Sequence, residues 1–414
     1  MNTDTVIVAT GHESNCCEVS YCESNRHESL VLNKGREPTV DTNKAGINKT
    51  STDNTAIKII KGRGALSNEP GRFAITKVES VPDNRTSDGA DPEWELIPRV
   101  CTEVRAEKAK SIISRNNSPD LPFSQSINPY QGCEHGCIYC FARPTHAYWD
   151  LSPGLDFETR LSYKSNAVEL LEEALSKPKY RCQPIALGTN TDPYQPIEKE
   201  QQVTRQLLEV LQRHRHPFSI VTKSALILRD LDILEEMARQ RLCSVRISVT
   251  TLDNDLKRTL EPRTPSPKVR LKTIQELNQA GVPVGVLAAP VIPKINDHEL
   301  EAILEACRDA GAKTAGYILI RLPHEVKALF EQWLMTHYPG RANHVMSLIR
   351  QSRGGKAYNA RYGQRMVGSG FYAEMVAQRF RVSCSRLGLI AGEGGKLNCQ
   401  LFRQPPGPGQ LSLF

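Results

Sequence analysis

The stretch INPYQGCEHGCIYCFARPTHAYWD, Ile127 to Asp150, decides how this chain is read. Three of the twelve cysteines, Cys133, Cys137 and Cys140, fall within eight residues of it. Spacings of four and three on one short loop crowd three thiolates together, and the loop holds no fourth cysteine. Three such ligands can hold three irons of a four-iron cubane and leave the fourth iron open to chelate a small molecule. Structural zinc wants four ligands, so a zinc knuckle completed by His135 or His146 stands as the alternative. The loop comes directly after the first strand of a β-then-α series, and that position favours the cubane.

The series itself runs outward from the loop. Apolar strands are read at PIALGT, FSIVTK, CSVRISVTT, VPVGVLAAPVI and KTAGYILI. Helical periods separate them, in QVTRQLLEVLQRH, LRDLDILEEMARQ, KVRLKTIQELNQAG and DHELEAILEACRDAG. With FSQSINPY as the first strand, six units fill residues 121–336. Strands alternating with helices imply an α/β fold with a parallel sheet, here a barrel or part of one. Residues 61–120 read as an irregular lead-in. Residues 1–60, polar and without a sustained period, read as a disordered leader. Its Cys16, Cys17 and Cys22 lack a convincing metal spacing.

Composition sets the wider bounds. A chain of 414 residues, 39% hydrophobic and 24% charged, can bury one barrel-sized core plus extra segments. No apolar run reaches the ~18 residues of a membrane span, so no membrane association is expected. MNTDTVIVATGHES has no basic n-region and no long apolar stretch, which predicts no signal peptide and a cytoplasmic location. In a reducing cytosol a cysteine cluster more often binds metal than forms disulfides. The net charge of +7 is uneven: residues 1–60 carry six Lys/Arg against eight Asp/Glu, residues 341–403 eleven against two. A basic extension over 337–403 suggests a polyanion partner, nucleic acid above all, against the plainer reading of a solvated basic face.

With these residues in view a resemblance appears. CEHGCIYC matches the Cys-x3-Cys-x2-Cys signature of radical S-adenosylmethionine enzymes, with the aromatic Tyr139 before the last cysteine. The wider SINPYQGCEHGCIYCFARPTH resembles the spore photoproduct lyase-like branch, also called DNA repair photolyase-like, over roughly residues 62–402. The resemblance implies a partial (β/α)6 TIM-like barrel with a [4Fe-4S] cluster on Cys133, Cys137 and Cys140 at the C-terminal strand ends. It implies S-adenosylmethionine bound at the open iron and a one-electron donor of flavodoxin or ferredoxin type. Reductive cleavage would then give a 5′-deoxyadenosyl radical that abstracts hydrogen from substrate, chemistry that belongs to the cofactor.

Further site residues follow from the resemblance. GTNTDPYQPIE, Gly188 to Glu198, is similar to the family's TSDP-type loop and implies that Thr191 and Asp192 approach the methionine end of the cofactor. Lys223, ending the third strand in IVTKS, is placed to pair with its carboxylate, and Ser248 in RISVTT matches the serine that contacts its ribose. LEPRTPSP, Leu260 to Pro267, also resembles the family but receives no assigned role. One departure matters. Spore photoproduct lyases carry a hydrogen-returning cysteine just before the TSDP-type loop, where this chain has Thr189; Cys182 lies seven residues earlier. The radical-generating half carries over, and spore-type thymine-dimer repair is put in doubt. The leading reading is a radical enzyme acting on nucleic acid, with DNA repair as its suggested setting. Radical modification of protein or tRNA, and a non-catalytic iron–sulfur or zinc module that binds nucleic acid, are the alternatives. The tail, residues 404–414, is Pro/Gly-rich and ends in QLSLF, Gln410 to Phe414, which resembles the bacterial sliding-clamp-binding peptide. A strand docking on its own barrel is the competing account of that tail.

Overall fold

Six parallel strands carry the core of the computed structural model, which describes residues 62–74, 101–392 and 394–404. They are β1 (Gln125–Ile127), β2 (Ile185–Leu187), β3 (Phe218–Thr222), β4 (Cys243–Ser248), β5 (Val284–Val291) and β6 (Thr314–Leu319). Each lies beside its successor in sequence, from β1 at one side to β6 at the other. Ile113–Arg115 pairs antiparallel on the free side of β1, and Ile390–Ala391 pairs parallel on the free side of β6. This is the partial (β/α)6 arrangement, its outer edges covered by short strands. Cys16, Cys17, Cys22 and the tail segment Gln410–Phe414 lie outside the described residues.

Branched and aromatic side chains explain the strands. Ile185 and Leu187 of β2, Phe218 and Ile220 of β3, Val245 and Ile247 of β4 and Val284 and Val286 of β5 are all buried, as a sheet covered by helices requires. The crossover helices are α1 (Ala167–Ser176), α2 (Val203–Arg213), α3 (Leu231–Arg239), α4 (Pro267–Gln279), α5 (Leu300–Asp309) and α6 (Val326–His337). In α2 the buried residues Val203, Leu207, Leu208 and Leu211 recur at helical spacing and form one apolar stripe. Helix α4 starts where the Ser266 hydroxyl accepts from the Val269 amide, with Pro267 in the first turn.

The first strand is shorter than FSQSINPY suggested. It stops at Ile127, because Pro129 has no amide hydrogen to continue the ladder. Tyr130–Gln131 joins a separate sheet instead, antiparallel to Arg160–Lys164, whose other side carries Glu103–Glu107 in parallel. That change of sheet swings the cysteine loop across the C-terminal ends of the barrel strands. Beyond the barrel come α7 (Ala342–Gln351) and α8 (Phe371–Leu387). Arg379 of α8 grips Glu301 of α5 at 2.6 and 2.7 Å, and the Tyr372 hydroxyl donates to Asp297 at 2.6 Å. At the opposite strand ends the Arg403 amide donates to the His214 carbonyl at 2.8 Å, and the Phe402 ring lies against Tyr180 and His216. Among the described residues no helix is long and apolar enough to cross a membrane.

Candidate active site at the C-terminal strand ends

The cysteine loop is held by its own backbone and by one arginine. The Cys133 amide donates to the Phe157 carbonyl at 2.9 Å, and the Ile138 amide to the Leu260 carbonyl at 3.1 Å. Arg143, fully buried, donates to the carbonyls of Cys137 at 2.9 Å, Gly136 at 3.2 Å, Pro153 at 3.0 Å and Gly154 at 2.9 Å. Its charge is met by Glu158, also fully buried. The Glu158 carboxylate accepts in addition from the amides of Gly64 at 3.0 Å and Ala65 at 2.8 Å. Gly64 must be glycine, because a Cβ there would stand 1.8 Å from the Gly136 carbonyl oxygen. The lead-in thus straps the loop from outside.

Cys133 and Cys137 are buried and Cys140 half-buried. Burial, then the neighbouring charges of Asp192, Cys137 and Cys140, push the Cys133 thiol well above its ordinary range. Burial lifts Cys137 to about 12, although Lys223 pulls it the other way. Thiols so placed become thiolates only beside added positive charge, which a metal centre supplies. Three soft donors on one loop suit iron–sulfur binding, so the residues present fit the cluster. Among the described residues no three His, Cys, Asp or Glu side chains gather as ligands of a single metal ion. A cubane asks for something different, each thiolate on its own iron.

Around the thiols lie the later strand ends. Asp192 accepts from the Thr222 hydroxyl at 2.6 Å, the Lys223 amide at 2.8 Å and the Tyr194 amide at 3.0 Å, with the His135 ring 3.4 Å away. Burial works to raise its carboxyl, but His135, Thr222 and the Lys223 amide together draw it down to about 2. The Lys223 ammonium faces the Tyr139 ring at 5.9 Å. Burial opposes its charge, yet Cys137 and Glu261 more than offset this and raise its pKa. Thr191 turns inward, donating to the Tyr130 carbonyl at 2.9 Å, and the Ser248 hydroxyl donates to the Ala289 carbonyl at 3.3 Å. Cys133, Cys137, Tyr139, Asp192 and Lys223 therefore share one neighbourhood, while Thr191 and Ser248 spend their hydroxyls on the scaffold.

Four residues of this site escaped the sequence reading: Arg143, Glu158, Glu261 and Arg270. Glu261 lies in LEPRTPSP and is fully buried, accepting from Tyr139, from the Thr250 hydroxyl at 2.7 Å and from Arg270. Arg270 of α4 also donates to the Ser248 carbonyl at 3.0 Å and the Thr264 hydroxyl at 2.6 Å. Burial would raise the Glu261 carboxyl, but Arg270 and Lys223 hold it near 2. The one available signal was LEPRTPSP itself, and nothing in it marks Arg270, nine residues beyond Glu261, as the partner of that carboxylate.

Thr189, two residues past β2, accepts from the Asn128 side-chain amide at 3.3 Å, next to the end of β1. Cys182 lies before β2, beside Cys399, and so at the far end of the barrel.

Comparison with known proteins bears on the fold and the family. The profile of the Radical SAM superfamily matches residues 127–307. An uncharacterised protein of Mycobacterium tuberculosis is 37% identical over 237 residues, spanning 57% of this chain and 70% of that protein. An uncharacterised protein of Methanocaldococcus jannaschii is 29% identical, over 48% of this chain and 71% of its own. Among solved structures, a spore photoproduct lyase mutant with bound AdoMet and dinucleoside spore photoproduct shares the fold with a TM-score of 0.50 and 17% identity, over 70% of this chain and 81% of that one. A second mutant of that lyase gives 0.51 and 17%, over 75% and 88%.

Proposed function

The chain belongs to the radical SAM superfamily, and from that membership we propose that it is a cytoplasmic enzyme directing radical chemistry at nucleic acid, in DNA repair. The supporting observation is the cysteine loop fixed over the C-terminal strand ends, where barrel enzymes keep their active sites. Cys133, Cys137 and Cys140 would hold a [4Fe-4S] cluster. When bound, the reduced cluster and S-adenosylmethionine supply a 5′-deoxyadenosyl radical able to take hydrogen from substrate, and a reductant must feed the cluster. In this reading Lys223 meets the cofactor carboxylate, and Asp192, held ionised, orients the Lys223 backbone. Tyr139, between two of the cluster cysteines in sequence, would contact the cofactor while its hydroxyl stays on Glu261. Thr191 would approach the methionine end and Ser248 the ribose, with both hydroxyls bonded to the scaffold in this structure.

The basic segment 341–403 and the shared lyase fold support a nucleic-acid substrate. With Thr189 at the position of the returning cysteine, the spore photoproduct reaction itself is not part of the proposal. QLSLF at Gln410–Phe414 would deliver the enzyme to a sliding clamp on DNA, so deleting it should abolish clamp pull-down and spare iron content. Clamp binding by the truncated protein would remove that role.

Anaerobic reconstitution tests the enzyme reading. About four irons per chain and reductive cleavage of S-adenosylmethionine are expected, both lost in Cys137→Ala. A Cys137→Ala protein that forms 5′-deoxyadenosine at the wild-type rate would refute the assignment. Lys223→Ala should keep its iron and bind S-adenosylmethionine roughly ten- to a hundredfold more weakly, since a charge-assisted hydrogen bond contributes about 1.5–3 kcal/mol.

A further inference from the structure

Arg321 follows β6 by two residues and so stands at the same strand ends as the cysteine loop. Its guanidinium lies 4.8 Å from the ring centre of Phe141, the residue after Cys140, and 6.0 Å from that of Tyr358. Its hydrogen bonds are poor ones: Met366 sulfur at 3.5 Å and the Tyr358 hydroxyl at 3.5 Å. Among the described residues its buried Nε has no hydrogen-bond partner. Among the described residues no carboxylate pairs with it.

The neighbouring arginines differ. Arg353 is buried and gives its donors to the carbonyls of Leu319, Ile320, Gln364 and Arg365 at 2.7–3.0 Å. Arg365 is tied to Asp120 at 2.8 Å. Both are structural, although the basic segment had suggested them as contacts for a polyanion. Arg353 also sets a second positive charge near Arg321, and its own pKa is lowered to about 10 by burial and then by that neighbour. A guanidinium with unmet donors, beside a like charge and between two aromatic faces, needs an anion to complete it.

We infer that Arg321, between Phe141 and Tyr358, binds a phosphodiester of the substrate strand beside the cysteine loop. This rests on the nucleic-acid reading above. A nucleotide brings an anion and a π face together, whereas a simple carboxylate would leave the rings idle. Phe141 is 42% exposed, so an aromatic face beside Arg321 is open to solvent.

The test uses the reconstituted protein with its cluster and a labelled single-stranded DNA oligonucleotide, titrated across salt, with the matching RNA in parallel. Arg321→Gln should weaken binding about tenfold and lower the salt slope by about 0.7, the share of one phosphate on a single strand. Arg321→Lys should restore the slope but not the full affinity, because an ammonium lacks the fork. Iron content and S-adenosylmethionine affinity should match wild type in both variants. Unchanged oligonucleotide binding in Arg321→Gln overturns the inference while leaving the nucleic-acid reading intact. Lost S-adenosylmethionine affinity overturns it in favour of a cofactor contact, and lost iron in favour of a scaffold role. Wild-type protein that binds neither oligonucleotide overturns both readings.

Discussion

Glu261 shows what a single buried charge does here. It balances Arg270 and receives Tyr139 and Thr250, so it joins the cysteine loop to β4 and α4 in one contact set. Glu261→Ala leaves Arg270 buried and unpaired, and should lower unfolding free energy by about 3–5 kcal/mol in urea titration. Arg270→Met in the same protein should recover part of that loss. His216 carries a pH prediction at a site remote from the cysteines. Burial lowers its pKa to about 4 from 6.5, while its ring meets the Tyr180 hydroxyl at 2.7 Å. The unfolded chain takes the proton below about 6.5 and the folded chain only below about 4, so stability is lost as pH falls through that window. The full loss is about 3 kcal/mol at ~1.4 kcal/mol per pKa unit. His216→Gln should be less stable at neutral pH but lack this acid-dependent arm, as paired denaturation curves at several pH values would show.

Among elements, the strands and crossover helices were legible because their apolar residues are periodic and contiguous. β3, read as FSIVTK, ends at Thr222, and α2, read as QVTRQLLEVLQRH, occupies Val203–Arg213. The first strand was overread because Tyr130 looks like strand and is one, but in another sheet, and pairing partners are not written in a local pattern. The same limit hid the Arg143–Glu158 and Arg270–Glu261 pairs, in which each residue alone resembles any surface charge. Arg353 makes the opposite point: a basic run read as one face contains an arginine that serves the interior. The strap over residues 62–66 is an element no period announces. Gly64→Ala would drive a methyl into the Gly136 carbonyl, so the reconstituted variant should retain less iron after desalting than wild type. Equal retention would show that the strap yields without disturbing the loop.

At the scale of the molecule, the two ends of the described chain serve opposite ends of the barrel. Residues 64 and 65 fasten the cysteine loop, and residues 398–404 close the strand starts through Arg241, His214 and Phe402. Truncation before Lys396 should therefore lower the thermal midpoint and leave reconstituted iron content unchanged, two readouts that one preparation supplies. The strap has a consequence in time as well. Gly64 precedes Glu158 by 94 residues, so during synthesis it emerges from the ribosome well before the carboxylate it will bind. In the interval before that carboxylate arrives, the strap has no acceptor to close on. The amides of Gly64 and Ala65 record the end of that interval, since closure turns them from hydrogens that exchange freely with solvent into protected ones.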